Sequence, residues 1–289
     1  MPTGALTTYR GDATLACLMT RIGVLYRPHV ERAKVLAESI QLQLTRHGAS
    51  SWMGSAWDEG GAALHMPETD LVVGIGGDGT ILHCARVTAP RGIPVLGVKL
   101  GQLGFITELN ESDVESLLPR ALAGEGWVEE RTMLEATLDG EVLLALNDAV
   151  VRCTAVRLID VTLEVGEQRV ATYRADGVIV ATATGSTAYS LAAGGPVLVP
   201  ESTDIVVQPV SSHIGLRHAL VLPRESVIGL SVSRNDGVVL SIDGQVDREL
   251  RGNERVTVTT STHKARFLRL RPRTYFLGSL HEKLGGTRT

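Results

Sequence analysis

Residues 71–80 read Leu71-Val72-Val73-Gly74-Ile75-Gly76-Gly77-Asp78-Gly79-Thr80. The apolar run Leu71–Ile75 has the composition of a strand buried on both faces, and Ile81, Leu82 and Ala85 follow at helical spacing. The glycines between them are therefore the turn of a βα unit, with bare backbone at the helix N-terminus, where phosphates are held by N–H groups. The stretch contains G-x-G-x-x-G, but the acidic ribose partner expected about 20 residues on is missing, because the next strand ends at Val98-Lys99-Leu100 and Glu108 lies too far along.

Working outward, Ile22–Tyr26 reads as a strand, and Ala33, Leu36, Ala37, Ile40 and Leu44 mark a helix that runs until Gly48. Residues 49–69 show no clear period and are expected to form a surface loop or a short strand. Ile93–Val98 is a third strand. Val114, Leu117, Leu118, Ala121 and Leu122 make another helix, closed by Gly124, in which Pro119 is expected to cause a kink or a break. Such alternation packs as a parallel sheet with helices on its faces.

Beyond Glu130 the helical period is gone. Short β runs follow at Leu134–Leu138, Val142–Leu144, Ala149–Val151, Leu158–Val165, Gly177–Ala181, Ile205–Val210, Val227–Val232, Val238–Ile242 and Val256–Thr259, with hairpin signals at Asp139-Gly140 and Asn235-Asp236-Gly237. Tyr275–Leu284 regains helical character. The expected fold class is an α/β N-terminal domain with a parallel sheet plus an all-β C-terminal domain, a β-sandwich. Residues 1–130 form the first domain, with 270–289 returning to it, and 131–269 form the second.

Composition narrows the function. A hydrophobic content of 44% supplies a core, and a net charge of −4 argues against a general nucleic-acid or anionic-membrane binder. Only 11 aromatic residues among 289 make a base-stacking platform a poor fit, whereas 31 glycines exceed the usual ~7%. The basic cluster Lys264, Arg266, Arg269, Arg271 and Arg273 alternates with Phe267, Leu268 and Leu270, as in a half-exposed strand with solvated charges. Cys17, Cys84 and Cys153 form no C-x-x-C pair, and His213 and His218 lack zinc spacing, so no metal site is expected. No signal peptide or apolar span is evident, which makes a cytoplasmic location the expectation.

Asp78 decides between chemistries. A carboxylate against phosphates is costly unless it has a task, and it suits phosphoryl transfer, either as the base for an attacking hydroxyl or as a holder of Mg²⁺. The base role is favoured; the alternative is that Asp78 caps the helix. A second motif runs from Ala175-Asp176-Gly177 through Thr184-Gly185-Ser186-Thr187-Ala188-Tyr189-Ser190 to Gly194-Gly195-Pro196. Its hydroxyls and single aromatic ring suit a nucleotide pocket, with a plain polar turn as the alternative.

Gly76-Gly77-Asp78-Gly79-Thr80, Leu103-Gly104-Phe105, Leu146-Asn147-Asp148, Thr184 to Ser190 and Ile242-Asp243-Gly244-Gln245, in this order, closely resemble the NAD kinase family over Arg21 to about Leu284. The resemblance implies transfer of the ATP γ-phosphoryl, with Mg²⁺ or another divalent cation, to the 2′-hydroxyl of the adenosine ribose of NAD. It makes Asp78 the proton acceptor, lays Gly76, Gly77 and Gly79 along the donor phosphates, and brings His83, on the first turn of the helix, within reach of the dinucleotide. Asn147 and Asp148 would bind adenine and ribose groups. Phe105, Asp176, Thr187, Ala188, Tyr189, Ser190, Leu191 and Ala192 would complete the pocket, with Arg157, Arg174 and Gln245 also in contact.

A homodimer or homotetramer is implied as well. Departures from the family pattern include Asp148 for the usual Glu, Ala183 for a proline, Ala175 for a Gly or Ser, and His218 after Arg217 where a proline is frequent. The competing readings are a diacylglycerol-kinase-like lipid kinase, which would carry a second glycine-rich signature where Leu100-Gly101-Gln102-Leu103 stands, and a catalytically weak dinucleotide-binding module.

Overall fold

The computed structural model describes residues 19–101, 104–155, 157–213, 216–233, 237–251 and 254–283. Cys17, Leu103, the Asn235-Asp236 pair and Leu284 lie outside the described residues.

The N-terminal half holds parallel strands in the order Ser50–Ser55, Arg21–Tyr26, Leu71–Gly76, Pro94–Lys99, with the short Leu109–Asn110 also parallel to the last. Leu71–Gly76 is buried along its whole length, as a central parallel strand covered on both faces must be. Helix Glu31–Arg46 lays Ala33, Leu36, Ala37, Ile40 and Leu44 on one face of the sheet, and helix Asp78–Thr88 covers the other with Ile81, Leu82, Cys84 and Ala85. Segment 49–69 is more ordered than its sequence suggests: a strand, then helix Glu59–His65 and a 3₁₀ turn Met66–Glu68. The strand Ser50–Ser55 is a half-buried edge with three serines and a glycine, so it shows no apolar run. Asp58 starts the next helix by accepting the Gly61 N–H at 3.0 Å. Pro119 does not break helix Val114–Leu122; the missing N–H removes one bond, and the chain closes with Ala123 N–H to the Pro119 carbonyl at 3.0 Å.

The second half is two antiparallel layers. One sheet runs Leu220–Leu222, Ile205–Val210, Gly177–Ala181, Asp148–Cys153, Val238–Ile242, Val246–Glu249. The facing layer contains Gln168–Ala175, Ile159–Val165, Ile228–Val232, Arg255–Arg269 and the hairpin Trp127–Leu138/Glu141–Ala145. Val161, Leu163 and Tyr173 of the facing layer meet Val178, Val180 and Leu240 between them, all fully buried. Each such aliphatic side chain stabilises the fold by about 1.5–3 kcal/mol. Gln168–Ala175 and Val246–Glu249 escape sequence reading because their exposed polar residues mask the pattern, and Leu220–Leu222 because three residues are too short a run.

Asp139 (φ 48°) and Gly140 (φ 79°) make the left-handed hairpin turn that the Asp-Gly pair signals. The second signal is no hairpin: the strands flanking Asn235-Asp236-Gly237 belong to different sheets. The long strand Arg255–Arg269 couples the halves. Its first part belongs to the antiparallel layer, and its end pairs parallel with the α/β strand through Arg266↔Pro94 and Phe267↔Val95. Lys264 and Arg266 are exposed as expected, but Arg269 is not solvated: it is buried between Glu108 and Glu129. Helix Tyr275–Lys283 returns to segment 104–108, with the Phe276 ring 6.2 Å from that of Phe105.

Candidate functional site

The glycine turn is tight for a steric reason. A Cβ on Gly76 would stand 2.2 Å from Thr80 Oγ1, so only glycine lets the strand feed the helix here. Gly77 is the N-cap and Asp78 the first helical residue, and no side chain caps this helix. The capping alternative for Asp78 is thereby answered. Its carboxylate turns off the helix, where Oδ2 accepts the Phe105 N–H at 3.1 Å. Gly104 makes room, since a Cβ there would lie 2.0–2.4 Å from the carboxylate atoms. Asp78 Oδ1 accepts no hydrogen bond, and Lys99 Nζ stands 3.8 Å from it.

Lys99 ends the neighbouring parallel strand, in register with Gly76, and its ammonium is 3.4 Å from where a Gly77 Cβ would sit. A helix N-terminus, glycine amides, a lysine and a carboxylate with an open valence thus converge at the carboxyl ends of parallel strands, the usual ligand position in such sheets.

The β half closes on this turn through Ile242–Gln245. Asp243 (φ 53°) and Gly244 (φ 64°) form a left-handed corner. Asp243 accepts the N–H groups of Leu146, Asn147 and Asp148 at 3.1, 2.7 and 3.2 Å, while Gln245 donates from Nε2 to the Gly79 carbonyl at 2.8 Å. Arg86, on the glycine-turn helix, clamps both: Nη1 to Asp243 at 3.2 Å, Nη2 to Gln245 at 2.6 Å and Glu59 at 2.8 Å. Burial raises the Asp243 pKa, and the three amides and the guanidinium pull it back. His83 is on the second turn of the helix rather than the first. It is buried, with Nδ1 2.6 Å from Glu59, its ring 4.4 Å from that of Trp57, and Nε2 unpartnered.

Asn147, Asp148, Ala188, Tyr189 and Gln245 line one cleft of about 620 Å³, the size of a small-molecule site. The hydroxyl-rich loop is fixed against Asn147, since a Cβ on Gly185 would stand 2.0 Å from the Asn147 carbonyl oxygen. Thr182 Oγ1 donates to the Leu146 carbonyl at 2.6 Å. The plain-turn alternative leaves unexplained why Asn147 Oδ1 and Ser190 Oγ are buried without partners. The Tyr189 ring is 43% exposed at the cleft, free to stack on a base. Burial, and then the charge of Asp243, push Asp148 up to about 7.

Thr187 spends its hydroxyl on the Thr184 carbonyl at 3.0 Å. Phe105 contributes its N–H to Asp78, but its ring faces a different, cation-lined cavity. Leu191 and Ala192 follow Tyr189 in a four-residue helix and do not line the cleft. Arg157, Arg174 and Asp176 are exposed and lie elsewhere. None of the three lines the cleft, although Asp176 precedes Gly177, whose cross-strand partner Arg152 does line it. Sequence reasoning missed Lys99, Arg86 and Glu59, and quoted Gly104 within a motif without its role; the signals were the strand-end position of Lys99 and the i, i+3 spacing of His83 and Arg86.

The chain was compared with known proteins. A family model described as the ATP-NAD kinase N-terminal domain matches residues 15–126, and one described as the ATP-NAD kinase C-terminal domain matches 146–270. An NAD kinase from Dehalococcoides mccartyi is 41% identical over 273 residues, 92% of this chain and 96% of that protein. One from Chloroflexus aggregans is 35% identical over 273 residues, covering 92% and 99%.

Among solved structures, an NAD kinase from Archaeoglobus fulgidus in complex with ATP superposes with a TM-score of 0.75 at 27% identity, covering 92% of this chain and 100% of that one. Yeast NADH kinase complexed with NADH gives 0.78 at 22% identity, with 94% and 89% coverage, a likeness of fold. Both halves of the chain, the glycine turn with its freed carboxylate and the cleft that closes on it, are matched in order, and the chain belongs to the ATP-NAD kinase family.

Proposed function

We propose that this NAD kinase moves the γ-phosphoryl group of ATP to the 2′-hydroxyl of the adenosine ribose of NAD, with Asp78 as the proton acceptor. The observation that carries the assignment is the Asp78 carboxylate beside the glycine turn, held off its helix by the Phe105 N–H, with Oδ1 accepting no hydrogen bond and facing only Lys99 at 3.8 Å. The 2′-hydroxyl proton passes to Asp78, the ribose oxygen bonds to the γ-phosphorus, and the bond to the β-phosphate oxygen breaks to release ADP. Lys99 and the helix N-terminus lie where charge gathers on the transferring group. The cleft of Asn147, Asp148 and Tyr189 takes the adenosine of NAD.

Among the described residues no group of three or more His, Cys, Asp or Glu side chains forms a cage for a metal. The part-exposed Asp78 carboxylate, with one oxygen free of hydrogen bonds, fits Mg²⁺ carried in on the ATP phosphates, the usual mode for this ion, where it would neutralise phosphate charge. The described helices include none long and apolar enough to cross a membrane, and a cytoplasmic location is part of this reading. So is a homo-oligomer, in which Arg157, Arg174 and Asp176, which do not line the cleft of their own chain, reach that of a neighbouring subunit. The lipid-kinase and binding-only alternatives gain nothing from the matched relatives.

The test is incubation of the purified chain with Mg-ATP and NAD, with NADP read by a coupled NADP-specific dehydrogenase and the 2′ position of the phosphate by ³¹P NMR. Absence of NADP contradicts the proposal.

A further inference from the structure

A second cavity lies behind Phe105, on the far side of the segment whose backbone holds Asp78. It is formed where the ends of Trp127–Leu138 and Arg255–Arg269 meet the returning helix Tyr275–Lys283, and five cations line it: Arg131, Arg269, Arg271, Arg273 and Lys283. Only two carboxylates share it, Glu108 and Glu129, and both are committed. Glu129 accepts from Arg131 at 3.0 Å and from Arg269 at 2.7 Å. Glu108 pairs with Arg269 at 3.3 Å and accepts the N–H groups of Leu270 and Arg271 at 2.9 and 2.8 Å.

Arg271 also pairs with Asp113 at 3.9 Å, which leaves Arg273 and Lys283 without a carboxylate partner among the described residues. Arg131 is 4% exposed; Nη1 donates to Thr184 and Nη2 to Glu129, but its buried Nε has no partner. Lys283 lies over the rings of Phe105 (5.2 Å) and Tyr275 (5.1 Å), and among the described residues no carboxylate is within ion-pair distance of its ammonium. Burial, then the charge of Arg269, press Lys283 down to about 8, against the pull of Asp78. A chain that only needed to dock its C-terminal helix would gain nothing by placing Lys283 there without a carboxylate partner, because a partly buried charge costs free energy until a counter-charge arrives.

We propose that this pocket is an anion site that takes a phosphate group of the donor's triphosphate tail, with Lys283 and the Nε of Arg131 as the groups that bind it. The cavity, about 40 Å³, exceeds the ~10–15 Å³ that admits a water and suits a single phosphate rather than a nucleoside. Phe105 joins it to the reacting centre: its ring lines the pocket while its N–H holds the Asp78 carboxylate. The assignment to the donor rests on the phosphoryl-transfer reading above; the anion site itself does not.

The experiment compares the full-length wild-type chain with Lys283→Met and Lys283→Arg. Calorimetric titration with tripolyphosphate, without NAD or ATP, should show binding that weakens about tenfold in Lys283→Met, the size of one charge-assisted hydrogen bond, and recovers in Lys283→Arg. In turnover, Lys283→Met should raise KM for ATP about tenfold and leave KM for NAD within twofold, with tripolyphosphate competing against ATP. Unchanged tripolyphosphate binding in Lys283→Met overturns the site. Weakened binding with inhibition not competitive against ATP overturns the donor assignment, and points to free phosphate as the occupant. A wild-type chain that forms no NADP but loses tripolyphosphate in Lys283→Met refutes the kinase reading and leaves the anion site standing.

Discussion

Replacing Asp148 by asparagine should change how stability depends on pH. Asp148 is 4% exposed, and burial together with the neighbouring Asp243 raises it from an ordinary 3.8 to about 7. Between those values the folded chain keeps a proton that the unfolded chain has released, so the Asp148 contribution to stability falls as pH rises, by about 1.4 kcal/mol per unit. Below pH 4 both states are protonated, and above pH 7 both are ionised, so the effect is confined to that window. Its ceiling is about 4 kcal/mol, and sharing of charge with Asp243 places the expected value between about 2 and 4 kcal/mol.

Asp148→Asn has no proton to lose. Urea unfolding of both proteins at pH 4 and pH 8 gives the stability difference at each pH, and subtracting the two removes the packing effect of the amide. The variant should gain 2–4 kcal/mol on wild type, as an order of magnitude, between pH 4 and pH 8. A change below about 1 kcal/mol, or one of opposite sign, would refute the argument that this carboxyl is buried beside a second one. The same protonation makes Asp148 a hydrogen-bond donor to a ligand below pH 7 and an acceptor above it.

Gly104→Ala places a methyl group 2.0–2.4 Å from the Asp78 carboxylate and should lower kcat about 10²-fold by displacing it; a kcat within twofold of wild type in single-turnover assays would show that the carboxylate is not held there. Arg86→Met strips the guanidinium from buried Asp243 and should destabilise the fold by about 3 kcal/mol in urea denaturation, the low end for a broken buried pair, because three amides still hold that carboxylate. A loss under 1 kcal/mol, on the order of a surface pair, contradicts the clamp. Tyr189→Ala should raise KM for NAD about tenfold, the scale of one lost base-stacking contact, with KM for ATP within twofold; equal rises for both substrates count against adenosine in the cleft.

Much of the site is legible in the sequence because it is local. Gly76 to Thr80 declares its own turn, the Asp148 and Tyr189 segments carry polar groups beside apolar strands, and the two-part fold follows from the change of period after Glu130. What is not legible depends on long-range pairing. Lys99 meets Asp78 only through the parallel register of two strands 23 residues apart, Gly76 with Lys99. Arg86 reaches Asp243 across 157 residues. Arg269 continues an alternating strand pattern and still ends buried, because Glu108 and Glu129 arrive from other elements to pair with it. Arg157, Arg174 and Asp176 show the converse: a matching order along the chain does not by itself bring a side chain to line the cleft.

The role proposed for Asp78 is to take the proton of the attacking hydroxyl. Asp78→Asn keeps the size of the side chain and one oxygen for the Phe105 N–H but removes the base. Turnover of NAD with Mg-ATP, measured beside dinucleotide binding by calorimetry, should show kcat reduced at least ~10²-fold with NAD affinity within a few fold. Undiminished kcat in that variant would contradict the account.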